Sequence, residues 1–323
     1  MIDDNEIKRA RQVLRAEPWL PTPLLPSAVA GQRLGIDLWF KREDCTPVGS
    51  FKIRGGLVSM ALADGTATDR GVYGASAGNY GLALAEAGRR RGVRVTIVVP
   101  IGANPSKVQR ILATGASVIH HGDDFDAAKE HARSTAKEVG AAFWEDGVIP
   151  EMALGAATIA AELIESEMNW DWVLVPVGNG SLIKGIAWMF RSMSPDTKVI
   201  GLVSTGAPAM AMAISGEPFD PTALTSTEAD GLDVRVPIVP ISREIGDLVA
   251  GVWLVPEQSL IPAVRSMIDL EQTMVEPSAA ITLAACHSHR EDLKGARVAA
   301  IVTGAHLRSS LLEAVSRSPG LPI

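Results

Sequence analysis

The apolar residues of this chain alternate between short continuous runs and longer segments with helical spacing. Between residues 71 and 140, β-branched runs such as "VTIVV" are each followed by a loop and then by a segment with apolar positions three and four apart. A strand, a loop and an amphipathic helix in succession are typical of a βα unit. The pattern therefore predicts consecutive βα units in this part of the chain.

The same pattern returns in the second half. The segment "PEMALGAATIAAELIESE" has helical spacing, and the runs "DWVLVPV", "KVIGLVS" and "RVAAIVTG" are nearly continuous in Val, Ile, Leu and Ala. Strands that are apolar at successive positions are buried on both faces, as in a parallel sheet covered by helices. The predicted fold class is α/β, with mainly parallel sheets.

The order of the elements predicts two domains. Residues 50–150 would form a smaller domain, inserted into a larger one made of residues 1–49 and 151–323. The stretch "GVIPEM" around Pro150 is the predicted crossing point, because it contains a Gly and a Pro and has no periodicity.

Composition narrows the function classes. The net charge of −7 and the pI near 5.5 oppose a nucleic-acid surface, which needs clustered Lys and Arg. There is no apolar run of about 20 residues and no charged-then-apolar leader. Two cysteines are too few for a disulfide framework, and no spacing suggests structural zinc. We expect a cytoplasmic protein with no membrane or nucleic-acid partner and no bound metal.

The loops that follow predicted strands contain the candidate chemistry, because ligands of open α/β sheets bind beyond the carboxyl ends of the strands. In "VPVGNGSLIKG", residues 175–185, small residues lead from a strand into a helix. Exposed N–H groups and the helix start would together bind a phosphate. The loop matches neither common nucleotide motif, and a tight turn without a ligand is the alternative.

Other segments allow two interpretations each. The loop "ASAGNYG", residues 75–81, could bind a carboxylate, or Ser76 or Asn79 could cap the following helix. Thr303, after the last strand, could face a ring nitrogen or bond its own backbone. Lys52, in "SFKIRGG", is either a surface lysine or a half-buried amine suited to Schiff-base chemistry.

Taken together, the motifs resemble a known family. The segments "LWFKREDCTPVGSFKIRGG", "ASAGNYG", "VPVGNGSLIKG", "EADGLDV", "VEPSAA" and "VTGAH" occur in the order and spacing of fold-type II pyridoxal-phosphate enzymes, within the serine/threonine dehydratase group. The resemblance spans roughly residues 20 to 310. It implies two three-layer α/β/α domains, of which the larger binds pyridoxal 5'-phosphate and the smaller closes on the substrate.

The resemblance also implies roles for individual residues. Lys52 would form the Schiff base with the cofactor and act as the catalytic lysine, and Phe51 would pack beside the ring. Asn79 would bond the phenolic oxygen of the cofactor, and Thr303 its pyridine nitrogen. The implied phosphate loop is Gly178, Asn179, Gly180, Ser181 and Leu182. The implied substrate-binding residues are Ser76, Ala77, Gly78 and Asn79.

The implied activity is β-elimination from a β-hydroxy amino acid such as threonine or serine, giving a 2-oxo acid and ammonia. Racemisation is disfavoured, since Ala77 stands where related racemases have a serine. The alternatives are a threonine synthase-like or cysteine synthase-like transferase that carries out β- or γ-replacement, and a non-catalytic protein that binds an amino acid or cofactor. "TGAH" leans toward threonine synthase, whereas "SFKIRG" and "SAGN" lean toward dehydratase. A homodimer is expected from the resemblance.

Overall fold

Parallel strands form the centre of each of two units of the chain. A computed structural model describes residues 3–63 and 65–323. The first unit contains residues 3–20 and 50–155, and the second contains residues 21–49 and 156–323. This division differs from the predicted one at residues 3–20 and 151–155, which the prediction assigned to the larger domain.

Strands and helices alternate through most of the chain. The strands are β1 Leu24–Pro26, β2 Asp37–Arg42, β3 Val72–Ala75, β4 Val95–Val99, β5 Ser117–His120, β6 Ala142–Phe143, β7 Trp172–Pro176, β8 Lys198–Ser204, β9 Gly251–Val255 and β10 Arg297–Val302. The helices are α1 Asp4–Leu14, α2 Ala28–Leu34, α3 Lys52–Leu62, α4 Gly65–Thr68, α5 Asn79–Arg91, α6 Pro105–Leu112, α7 Phe125–Val139, α8 Pro150–Glu165, α9 Ser181–Met193, α10 Ala209–Ile214, α11 Val239–Gly246, α12 Leu260–Glu271, α13 Pro277–Ser288, α14 Arg290–Leu293 and α15 Leu312–Arg317.

The first unit is built on a fully parallel sheet. Among the described residues its strand order is β5-β4-β3-β6. The amphipathic helix α1 joins this unit because its buried face, made by Ile7, Ala10 and Leu14, packs against α3. Helix α3 is buried around most of its circumference, from Ile53 to Met60, as expected for a helix that is apolar on all sides.

Glycines allow α3 to lie very close to its neighbours. A Cβ atom added at Gly155, in the first turns of α8, would lie 2.4 Å from the backbone nitrogen of Gly55. A Cβ atom added at Gly56 would lie 3.0 Å from the carbonyl oxygen of Ala83 in α5. Gly55 and Gly56, the "GG" pair of this segment, therefore allow α3 to pack closely against both α8 and α5.

The second unit is built on a mixed sheet that is mainly parallel. Its strand order in the described chain is β1-β2-β10-β7-β8-β9, and β1 is antiparallel to β2 whereas the other neighbouring strands are parallel. The α/β class with mainly parallel sheets, predicted from the sequence, is confirmed.

Helix α13 forms much of the core of the second unit, with residues 277–286 buried. It begins at Pro277, so that a proline occupies its first turn. Cys286 in this helix is fully buried, and burial raises the pKa of its thiol to about 12. Cys45, just after β2, is an exposed free thiol. No helix in the described ranges combines the length and apolar character needed to span a bilayer.

Candidate functional site

The amine of Lys52 lies at the first residue of α3, in the first unit. Its side chain is only 13% exposed. The ring of Phe51, the preceding residue, lies 5.0 Å from Nζ, and the ring of Tyr80, in the first turn of α5, lies 5.9 Å away. Lys52 is thus a mostly buried amine beside two aromatic rings and not an ordinary surface lysine.

Lys52 forms an ion pair with Asp146. Nζ donates to Oδ1 at 2.7 Å and to Oδ2 at 2.6 Å. Asp146 is 17% exposed and lies in the turn after β6, the last strand of the first unit. Asp146 therefore lies in the loop at the carboxyl end of a parallel strand, the kind of place where ligands of α/β sheets bind, and it contacts Nζ of Lys52 there.

Tyr80 connects α5 to the segment that precedes Asp146. Its hydroxyl donates to the carbonyl oxygen of Trp144 at 3.0 Å, and both residues are buried. Burial raises the pKa of Tyr80 well above its ordinary value, and the carboxylates of Asp146 and Glu145 raise it further. The tyrosine hydroxyl is consequently kept protonated as a hydrogen-bond donor.

The loop of residues 75–79 joins β3 to α5 close to these rings. Gly78 is the N-cap of α5 and has no side chain of its own to cap the helix. The Oγ atom of Ser76 accepts a hydrogen bond from the N–H of Gly78 at 3.1 Å. Ser76, Ala77, Gly78 and Asn79 are all half-buried. The first N–H groups of an α-helix have no partner within the helix, and such a helix start is a common binding place for an anion.

The predicted phosphate loop lies in the second unit, between β7 and α9. Gly178 and Asn179 are half-buried, and Gly180, Ser181 and Leu182 are buried. Gly180 is the N-cap of α9, lies in the left-handed region with φ of 95° and has no side chain of its own to cap the helix. The first N–H groups of this 13-residue helix, which have no partner within the helix, follow a loop made of small residues.

Two positions of this loop require glycine. A Cβ atom at Gly178 would lie 2.6 Å from the carbonyl oxygen of Gly231, and one at Gly180 would lie 2.5 Å from Cδ1 of Ile245. The neighbouring segments thus pack directly on the loop backbone. Such a loop is a backbone cradle of the kind that binds phosphate.

Thr303 follows β10, which is the neighbour of β7 in the sheet. It is 4% exposed, and its Oγ1 atom has no hydrogen-bond partner among the described residues. The alternative that this hydroxyl bonds its own backbone is therefore wrong. A buried hydroxyl without a partner is costly and points to a missing polar group at that place.

Each unit, taken by itself, has groups of the kind that the predicted cofactor needs. In the second unit, a backbone cradle for an anion follows β7, and the unsatisfied hydroxyl of Thr303 follows the neighbouring strand β10. In the first unit, Lys52 is a mostly buried amine. No group of three or more His, Cys, Asp or Glu side chains in residues 3–63 and 65–323 is arranged to hold a metal ion.

Sequence reasoning missed Asp146 and the position of Tyr80. Asp146 lies in "WEDG", and the Asp-Gly pair directly after a strand was the available signal. Strand β6 is only two residues long, so the pattern did not show that Asp146 comes at the end of a strand.

Comparisons with known proteins cover most of this chain. Residues 16–304 match the family model described as pyridoxal-phosphate dependent enzyme. An L-threonine ammonia-lyase of Geobacter sulfurreducens is 33% identical over 303 residues, which are 94% of this chain and 73% of that protein. The chain spans about half the length of the threonine dehydratases of Nicotiana attenuata and Solanum lycopersicum that it also matches.

Two solved structures are similar to this chain over nearly its whole length. The processed form of threonine deaminase isoform 2 from Solanum lycopersicum superposes with a TM-score of 0.87 at 29% identity, covering 98% of this chain and 88% of that one. Maize serine racemase superposes with a TM-score of 0.87 at 27% identity, covering 98% of each chain.

Proposed function

Because the chain belongs to the family of pyridoxal-phosphate dependent enzymes, we propose that it is an ammonia-lyase. It would remove the β-hydroxyl and amino groups of threonine or serine and release a 2-oxo acid and ammonia. The observation that carries this proposal is the mostly buried amine of Lys52 at the start of α3. The motif around it resembles the one that contains the lysine of the family. The similarity to an L-threonine ammonia-lyase supports the choice of reaction.

In this proposal, each residue of the predicted motifs has its own part in cofactor binding. Lys52 would bond covalently to the cofactor aldehyde, with Phe51 beside the ring and Asn79 at the phenolic oxygen. Thr303 would satisfy its buried hydroxyl at the pyridine nitrogen. The phosphate would be bound by Gly178, Asn179, Gly180, Ser181 and Leu182.

Backbone donors explain why the phosphate loop needs no lysine or arginine. The N–H groups in the first turn of α9 and the positive end of its dipole favour a dianion. Gly178 and Gly180 keep the backbone accessible, because no side chain can be placed there without a clash.

Lys52 has the central role in proton transfer. When bound, the cofactor supplies an electron sink for the α-carbon of the amino acid. The amine of Lys52 would take the α-proton of the amino acid. Ser76, Ala77, Gly78 and Asn79 would orient the substrate carboxylate, so that the α-hydrogen faces this amine.

Thr303 and Ala77 favour elimination over other outcomes. A neutral hydroxyl does not hold a pyridine nitrogen protonated as a carboxylate does, so less negative charge is drawn into the ring. The methyl side chain of Ala77 cannot deliver a proton to the opposite face of the α-carbon, which disfavours racemisation.

We further infer a cytoplasmic homodimer. Both cysteines are free thiols, which fits a reducing compartment. Light scattering on the purified protein would give the mass of the assembly, to be compared with 34.1 kDa for one chain.

The proposal is tested on the purified protein with its cofactor. Borohydride reduction followed by mass spectrometry should place the cofactor on Lys52, and Lys52→Ala should lose the visible absorbance and the activity. Threonine, serine, their D-forms and 3-hydroxyaspartate should then be assayed for 2-oxo acid. No 2-oxo acid from any of them would contradict a lyase, and turnover that needs an added nucleophile would indicate a transferase.

A further inference from the structure

Asp146 contacts the amine that the proposed function uses as a base, and that function gives it no role. Both carboxylate oxygens accept hydrogen bonds from Nζ of Lys52, at 2.7 and 2.6 Å. The two side chains are 13% and 17% exposed, so water screens this pair only partly. This geometry holds Nζ in one position more firmly than a single hydrogen bond would.

The other charged and titratable groups nearby are engaged elsewhere. Glu145, the adjacent carboxylate, pairs with Arg133 at 2.8 Å and with Lys129 at 3.5 Å, both on α7. The hydroxyl of Tyr80, on α5, donates to the carbonyl oxygen of Trp144. The contact with Nζ of Lys52 is thus made by Asp146 and not by its acidic neighbour.

Proton removal creates a charge at this position. The Cα–H bond of the substrate breaks with its electron pair left on carbon, and a new N–H bond forms on Nζ, which becomes an ammonium. An ammonium in a mostly buried place is costly unless a carboxylate compensates it. The Lys52–Asp146 ion pair has the arrangement that the lysine needs after it has taken the proton.

We propose that Asp146 is a positioning residue for Lys52, which aims the amine at the α-hydrogen and compensates the charge that Nζ gains. The inference rests on the proposed function, because it assigns the α-proton to Lys52. It deepens that function by adding a carboxylate partner to the base.

The test separates proton removal from elimination. L-Alanine has no β-leaving group, so exchange of its α-hydrogen with solvent deuterium, followed by NMR, reports on proton removal alone. In the holoenzyme of Asp146→Asn, we expect the maximal exchange rate to fall about tenfold or more, with the alanine concentration at half-maximal rate changed less than threefold. Asp146→Glu retains the charge and should recover most of the lost rate.

A second readout does not depend on turnover. The visible absorbance of the bound cofactor and its borohydride attachment to Lys52 should be retained in Asp146→Asn within about twofold, since the proposal assigns Asp146 to the proton and not to attachment. Glu145→Gln is the matched control, because it removes a carboxylate from the same turn without touching Nζ. Its exchange rate should stay within about twofold of the unaltered protein.

The outcomes distinguish the two proposals. Absence of a borohydride-stable cofactor on Lys52 in the unaltered protein contradicts the proposed function. Attachment in both proteins with an unchanged exchange rate in Asp146→Asn contradicts only the role of Asp146. Asp146→Ser is the second variant in case the amide disturbs folding. Loss of cofactor attachment in every Asp146 variant, or an equal loss of exchange in Glu145→Gln, would also overturn the inference.

Discussion

Single side chains determine how the reactive groups of the candidate site are held. Lys52 is fixed by Asp146 and lies beside two aromatic rings, whereas the hydroxyl of Thr303 is buried without a partner among the described residues. The first group is satisfied within its own unit, and the second has a hydrogen bond to offer to a ligand. Substitution of Thr303 should therefore weaken ligand binding without lowering the stability of the protein.

Thr303→Val should separate folding from cofactor binding. Valine has nearly the same shape and removes a hydroxyl that bonds nothing in the protein, so the free energy of unfolding without cofactor should be unchanged or slightly higher. Loss of the proposed hydrogen bond to the pyridine nitrogen should weaken cofactor binding about tenfold. Titration of the cofactor-free protein, followed by visible absorbance, measures this affinity.

Thr282→Val is the control for this prediction. Thr282 is also fully buried, but its hydroxyl already donates to the carbonyl oxygen of Ala279. Its replacement should leave the cofactor affinity within about twofold. Equal affinities of Thr303→Val and the unaltered protein would contradict the role assigned to Thr303.

At the scale of single residues, the sequence suggests as candidates the residues that lie in motifs, and it does not indicate Asp146 or the position of Tyr80. Lys52, the loop of residues 75–79 and the phosphate loop have recognisable spacings. Asp146 is an acidic residue in a turn, and such residues are mostly solvated. The contact between Asp146 and Lys52 depends on the position of β6 and on the direction of the Lys52 side chain, and the local sequence pattern predicts neither of them.

Helix packing in the first unit depends on close backbone contacts. The Gly55–Gly155 contact brings the first turns of α8 against α3 just after Lys52. This contact has no space for a side chain, and it fixes α3, whose first residue is Lys52.

Gly155→Ala should disturb both the fold and the site. The added methyl group would lie 2.4 Å from the backbone nitrogen and 2.5 Å from Cα of Gly55, so the two helices must separate. We expect a loss of about 1–3 kcal/mol in the free energy of unfolding and a lower yield of borohydride-labelled Lys52. Urea denaturation and mass spectrometry would measure the two effects.

Gly102→Ala is the matched control. A Cβ atom at Gly102 meets nothing within 4 Å, so the same substitution should change the free energy of unfolding by less than about 0.5 kcal/mol. If the two alanine variants were equally stable, the close contact would not limit the packing of α3.

The strands show which elements a pattern can predict. The apolar runs predicted β3, β4, β5, β7, β8 and β10, whereas β1, β2, β6 and β9 were not recognised. In β2, Lys41 interrupts the apolar run. Its side chain is nevertheless only 1% exposed, and it can be buried because Nζ is paired with Glu162 and donates to the carbonyl oxygen of Thr22. A buried lysine satisfied by distant residues looks like a surface residue in the sequence.

Across the whole molecule, the predicted family and fold class are confirmed by the family match and the structural similarity. The placement of residues 3–20 was not predictable in the same way. An amphipathic helix such as α1 shows which of its faces is buried, but its sequence does not specify which apolar surface that face will cover.

Cofactor binding should stabilise the whole chain. A ligand that binds only the folded protein adds about 2.7 kcal/mol at a concentration of one hundred times its dissociation constant. Removing the cofactor with hydroxylamine should therefore lower the thermal midpoint, and adding pyridoxal phosphate should restore it. Lys52→Ala should show a smaller rise, since only the non-covalent contacts remain. A midpoint that does not respond to the cofactor in the unaltered protein would contradict the proposal.

The two cysteines differ in exposure, and this difference can be used to detect local unfolding of the core around α13. Cys45 is exposed, whereas Cys286 is fully buried in α13 and has a pKa of about 12. An alkylating reagent should modify the first within the folded state and reach the second only during excursions that expose α13. The rate of Cys286 alkylation, measured from the mass of the intact protein, would therefore report the frequency of this opening without an engineered label.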